Sequence, residues 1–241
     1  DLHSFPTRRS SDLSLHCVST SRYATNWNIA DVNVKIPKMD GDPLSQSATT
    51  IHEVGHFIDQ LYGGNSYFSL DNGKCRDAIE QGNMISDDVK TLFEGLKADG
   101  QNAYENVMVV AREKNKEFNN RIREAYDAKD WTLANKLSKE RDKSWKNYVK
   151  NAADEMRAAH KGYDGLEDIY DAIYGGKFQR EGYYGHGADY YSNVNNKIVE
   201  TFANYCAMSQ TNPAAFEMLK KEQPGIFNAC RDLVKDMLRR K

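Results

Sequence analysis

The stretch Thr49-Thr50-Ile51-His52-Glu53-Val54-Gly55-His56-Phe57-Ile58-Asp59 concentrates more chemistry than any other part of this sequence. Two histidines four residues apart fall on one face of a helix, so both imidazoles can meet a single ion. Glu53 follows the first histidine directly, which turns its carboxylate toward water held at that ion rather than toward the ion itself. An HExxH spacing of this kind implies zinc-assisted hydrolysis with His52 and His56 as ligands and Glu53 as the base. The plain alternative is a pair of hydrogen-bonded core histidines. Apolar Ile51, Val54, Phe57 and Ile58 argue that the helix is buried, and buried imidazoles need partners.

A third ligand has to come from elsewhere. Position 62, where a metzincin carries its third histidine, is Tyr. Glu200 is the leading candidate, because Ile198-Val199-Glu200-Thr201-Phe202-Ala203-Asn204-Tyr205 sets a carboxylate on an otherwise apolar face, where it is costly unless paired or metal-bound. Asp59, seven residues after His52 on the same face, is the rival, and its expected part is to hold a ligand or a loop in place. Three protein ligands leave zinc a fourth position for water, whose pKa the ion lowers toward 7. Glu53 would take the proton as the water attacks a peptide carbonyl and return it to the leaving amine. Tyr190, Tyr191 and His186, in the Gly- and Tyr-rich loop ahead of Glu200, are candidate donors to the developing oxyanion.

These residues need elements to position them. Trp27, Ile29, Val32, Val34 and Ile36 suggest one or two short strands closed by Pro37. Ser47 is placed to cap a helix running to about Tyr62, stopped by Gly63-Gly64, with Tyr67-Phe68 as a further short strand. Two charged helical stretches follow, Gln101 to Ala128 and Asp130 to His160, and read as a solvated hairpin inserted between the two halves of the site. Trp131 and Trp145 are the residues that would make this insertion, 101–160, a partner-binding arm instead. A short helix over Gly165 to Ile173 precedes the loop 181–191. Helices resume over Asn196 to Ser209, Pro213 to Glu222 and Pro224 to Arg240. The expected class is α+β and mainly helical, with a small antiparallel sheet beside the His52 helix.

Length and composition set the outer limits. A chain of 241 residues suffices for one domain with a buried core, plus an insertion. Lys and Arg number 33 against 35 Asp and Glu, so no one-signed field supports nucleic-acid binding. No stretch is apolar enough to span a bilayer, and a soluble chain with no membrane partner is expected. Cys17, Cys75, Cys206 and Cys230 form no CxxC pair and read as core thiols. His3 to Leu13, HSFPTRRSSDL, has no apolar core and is no signal peptide. It matches an in-frame translation of a sequencing adaptor, so residues 1–13 are expected to be a disordered artefact and residues 14–241 the domain of a metagenomic fragment.

HEVGHFID together with YYSNVNNKIVETFANYCAM resembles the zincin-like metallopeptidase domains of bacteriophage minor head (head-morphogenesis) proteins, and is similar to the catalytic domain of anthrax lethal factor. The resemblance covers about Tyr23 to Gly64 and Gly165 to Leu238. It implies a zincin-like fold, Zn2+ held by His52, His56 and Glu200, Glu53 as base, and Tyr190 or Tyr191 as the oxyanion helper. It also implies a protein or peptide substrate, with phage capsid or portal proteins as partners. One departure matters: where the lethal-factor pattern has a second carboxylate, four residues after the ligand Glu, this chain has Asn204, which can still hydrogen-bond a ligand histidine. Three functions follow as expectations: a zinc endopeptidase of a phage or prophage head protein, a non-catalytic capsid scaffold, or an inter-bacterial effector peptidase. The compartment stays open between virion and cytoplasm.

Overall fold

The computed structural model describes residues 27–28, 33–34, 43–64, 66–71 and 73–239. The adaptor-like segment 1–13 and Cys17 lie outside these. Ten helices order the described chain: α1 (Pro43–Gly63), α2 (Phe68–Asp71), α3 (Gly73–Glu80), α4 (Asp87–Asp127), α5 (Trp131–Ala159), α6 (Asp164–Ile173), α7 (Gly187–Tyr191), α8 (Val194–Thr211), α9 (Pro213–Glu222) and α10 (Pro224–Arg239). Among the described residues no helix is long and apolar enough to cross a membrane.

The expected α+β class, and with it a zincin-like sheet beside the His52 helix, is overturned: the fold is predominantly helical. Where strands were expected, Trp27–Asn28 pairs with Asn33–Val34 in a two-residue antiparallel bridge, far too short to bury a face. The rest of that alternating run lies outside the described residues. Tyr67-Phe68 is not a strand either, since Phe68 opens α2 and buries its ring. Helices supply the cover that a sheet was expected to give α1, above all α8 and α2.

The reason lies in α8. Every residue from Ile198 to Met208 is buried, polar Glu200, Thr201 and Asn204 included, so this helix is enclosed on all sides by other elements. Ile198, Phe202, Ala203 and Tyr205 meet α1, α6, α9 and α10 along its length, and Tyr205, Phe216 and Phe227 form an aromatic trio with centroids 5.1–5.7 Å apart. Burying each large apolar side chain here contributes roughly 1.5–3 kcal/mol. Two caps fix the junctions: Asn193 accepts from the backbone N–H of Asn195 to start α8, and Asn212 accepts from Ala215 to start α9, with Pro213 in its first turn. Helix α1 begins at Pro43, a turn ahead of the expected Ser47 cap, because proline's fixed φ and missing N–H suit a first helical position.

The chain divides into two compact units, one formed by the segments up to Lys90 and from Gly162, the other by Thr91–Lys161. In the second unit α4 and α5 pair as an antiparallel hairpin. Ile122, Ala125, Ala134 and Leu137 bury one patch near its tip, and Met108, Ala111 and Ala152 another. Asp130 caps α5 through the Leu133 N–H at 2.9 Å, and exposed Trp131 packs edge-on against Tyr126. The sequence placed the start of this hairpin near residue 101, yet α4 runs unbroken through Gly95 and Gly100. Gly100 sits where a side chain would press on Met156, so its cost to the helix is offset by close packing.

Candidate metal centre

The candidate ligands and catalytic groups all fall in the first unit, where α1 and α8 cross closely. Gly55, between the two histidines, permits this: a Cβ there would stand 3.0 Å from the Cα of Ala203, one turn beyond Glu200. The crossing sets His52 Nε2 3.1 Å from Glu200 Oε2 and His56 Nε2 3.4 Å from the same oxygen. The two Nε2 atoms are themselves 3.1 Å apart. Glu200 is nine-tenths or more buried, and its Oε2 accepts no hydrogen bond, facing the two ring nitrogens out of line for an N–H···O bond.

Burial alone would raise the acidity constant of Glu200, but His52 and His56 outweigh it and hold its carboxyl well below the usual range, so it is an anion at neutral pH. An anionic oxygen with two imidazole nitrogens crowded around it suits a cation. The edges of a tetrahedron around an ion with 2.0–2.1 Å bonds are about 3.3–3.4 Å long, close to the three separations found. His52, His56 and Glu200 therefore fit a small divalent ion.

Around this triangle each remaining residue takes a definite place. Glu53 is buried and lines, beside His52, a cleft of about 330 Å3 that also borders Asp164, Asp168, Tyr184, His186 and Asn204. Tyr190 donates its hydroxyl to Glu200 Oε1 at 2.5 Å while its ring stacks on His186. Tyr191 is turned away into the core and donates to Asp168 Oδ1 at 2.7 Å. Burial and the neighbouring carboxylates raise the pKa of both tyrosines, keeping each a phenol and a donor. Asp59 is fully buried, and its hydrogen bonds come from Ser69, through the backbone N–H at 2.7 Å and Oγ at 2.5 Å, so it fastens α2 to α1. Burial lifts its pKa to about 6 against the pull of the Ser69 bonds.

Asn204, one turn after Glu200 on α8, sets its Oδ1 3.0 Å from His52 Nδ1. Its other end leads to a group the sequence reading missed. Asn204 Nδ2 donates to Asp168 Oδ2 at 2.7 Å, and Asp168 Oδ1 also receives His186 Nδ1 at 3.0 Å. Burial would lower the pKa of His186, but the bond to Asp168 and the charges of Asp168, Glu200 and Asp171 raise it to about 9. Two further acids of α6, Glu167 and Asp171, are fully buried and hold the loop. Tyr184 N–H reaches Glu167 at 3.2 Å, and the N–H groups of Gln179 and Gly187 reach Asp171 at 2.9 and 3.0 Å. Gly187 offers its N–H from φ +78, a backbone state open to glycine at little cost. The signal that could have found these acids is the loop itself, a Gly-rich segment whose backbone N–H groups need acceptors. Comparison of the chain with protein-family models, curated proteins and solved structures finds no match in any of the three.

Proposed function

We propose that this chain is a zinc-dependent metallopeptidase that hydrolyses a peptide bond in a protein or peptide substrate. The observation that carries the reading is the convergence of His52 Nε2, His56 Nε2 and Glu200 Oε2 within 3.1–3.4 Å, beside a buried Glu53 in an open cleft. His52, His56 and Glu200 would hold the ion. Bound there, zinc supplies Lewis acidity that polarises the scissile carbonyl and acidifies water. Glu53 accepts the proton of the attacking water and delivers it to the leaving nitrogen. Tyr190, with its hydroxyl already at the ligand cluster, is the donor to the oxyanion, whereas Tyr191 serves the support behind it. The resemblance of the two motifs to minor head proteins of phages extends the proposal to a virion structural protein, capsid or portal, as the natural substrate or partner.

Zinc content and cleavage of a peptide library by the intact chain and by Glu53→Ala test this. The expected result is stoichiometric zinc in both and cleavage only by the unaltered chain. An unaltered chain that takes up no zinc overturns the reading, and zinc in both with cleavage by neither leaves a metal-binding scaffold instead.

A further inference from the structure

A histidine that binds a metal through Nε2 must carry its proton on Nδ1, and something must enforce that tautomer. In this chain the atom facing His52 Nδ1 belongs to an amide, which can present either its oxygen or its NH2 group. The amide of Asn204 is fixed from its far side. There Asp168 Oδ2 lies 2.7 Å away, and a carboxylate oxygen accepts, as the other oxygen does from Tyr191 and His186. Nδ2 of Asn204 must therefore turn to Asp168 and Oδ1 to His52, which makes Nδ1 of His52 a donor and leaves Nε2 as the atom that faces Glu200 and His56. The flipped amide would set two oxygens against each other at 2.7 Å.

We propose that Asp168 is a positioning residue that selects the Nδ1–H tautomer of His52 through the Asn204 amide, across a chain of two hydrogen bonds from α6 to α1. The consequence for zinc rests on the metallopeptidase reading, while the tautomer does not. The same carboxylate also holds the loop bearing Tyr190, so the ligand and the oxyanion donor share one anchor.

The direction of failure follows from the same geometry. In Asp168→Asn the new side-chain oxygen stays with Tyr191 and His186, and its NH2 faces Asn204. Asn204 must then flip and offer its own NH2 to Nδ1, which moves the His52 proton to Nε2, pointing at Glu200. Exchanging both residues, Asp168→Asn with Asn204→Asp, restores an acceptor for Nδ1–H and a donor behind it.

Two readouts test the proposal: the tautomer of His52 by 15N–1H correlation in the metal-free protein, at a pH where the ring is neutral, and zinc affinity by chelator competition. The expected result is Nδ1–H in the unaltered chain, Nε2–H in Asp168→Asn with zinc binding about 10–100-fold weaker, and recovery of both in the double exchange. Retention of Nδ1–H in Asp168→Asn overturns the proposal. So does a folded double exchange that stays in the Nε2–H form. If the tautomers follow the expected series but the unaltered chain takes up no zinc, the positioning role stands and the metallopeptidase reading falls.

Discussion

Gly55→Ala probes the contact on which the candidate centre is built. The added methyl would stand 3.0 Å from Ala203 Cα, 3.3 Å from Cys206 Cβ and 3.4 Å from Ala203 O. Comfortable carbon–carbon contact needs about 3.5–4.0 Å, so the deficit against Ala203 Cα is about 0.5–1 Å. Two of the three atoms met are backbone of α8 and cannot rotate away, so the helix must shift as a body, carrying Glu200 with it. The 3.1 and 3.4 Å separations between Glu200 Oε2 and the ring nitrogens would then open by roughly half an ångström, beyond the ~0.2 Å tolerance of a metal site. Alanine improves helix propensity by about 1 kcal/mol, while overpacking costs about 1–3 kcal/mol, giving a net loss of about 0–2 kcal/mol. Zinc affinity should suffer more than stability, by about 10-fold or more, the scale seen when ligand-orienting groups are lost. Urea unfolding of the metal-free protein and chelator competition for zinc measure the two effects. Unchanged zinc affinity in a folded Gly55→Ala chain would refute the idea that helix spacing sets the ligand triangle.

Three other outcomes are expected. Glu200→Gln should weaken zinc binding by roughly 100-fold or more, whereas Asp59→Asn should change it by less than about 3-fold, since Asp59 bonds to Ser69; the reverse order in a chelator titration would exchange their roles. Asp59 also makes stability depend on pH. Its pKa rises from 3.8 unfolded to about 6 folded, so between those values the folded chain holds a proton the unfolded chain has lost, and stability falls as pH rises, by about 3 kcal/mol across the window. Urea midpoints near pH 4 and pH 7 should show that slope in the unaltered metal-free chain and lose it in Asp59→Asn. Tyr190→Phe should keep zinc but lower kcat by about 100–1000-fold, as when an oxyanion donor is removed, whereas Tyr191→Phe should cost about 1–3 kcal/mol of stability with little change in kcat; equal kcat losses would remove the distinction.

What the sequence disclosed about the centre was whatever a single helix decides. The i, i+4 spacing of His52 and His56 and the lone acid at Glu200 in an apolar run are local facts. Asp168 was hidden because its importance arises only where α6, the loop and α8 meet, and His186, legible as a loop donor, showed no sign of its bond to Asp168. In α6 the acids Glu167, Asp168 and Asp171 look like an ordinary solvated face, yet all three are buried. The class was misjudged for a related reason. Aromatic and β-branched residues such as Tyr67, Phe68 and Val34 favour strands weakly, and that preference yields where a helix offers more burial, as it does at Phe68. Helix α4 starts at Asp87 rather than near residue 101, and runs through Gly95 and Gly100 despite the low helix propensity of glycine.

Three buried acids of this unit, Asp59, Asp168 and Asp171, set Glu200 in contrast. A carboxylate removed from water must be matched by donors, or the fold loses stability. Asp171 is matched by two backbone N–H groups, Asp59 by Ser69, and Asp168 by Tyr191, His186 and Asn204. Even Glu200 Oε1 has the Tyr190 hydroxyl. Glu200 Oε2 faces instead two imidazole nitrogens that share it without a hydrogen bond. A core selected for stability alone would hold an apolar residue at position 200, one turn before Ala203 in a fully buried stretch. An anionic oxygen kept in that place, between two rings of which His52 is held from behind by Asn204, makes physical sense if a cation completes it.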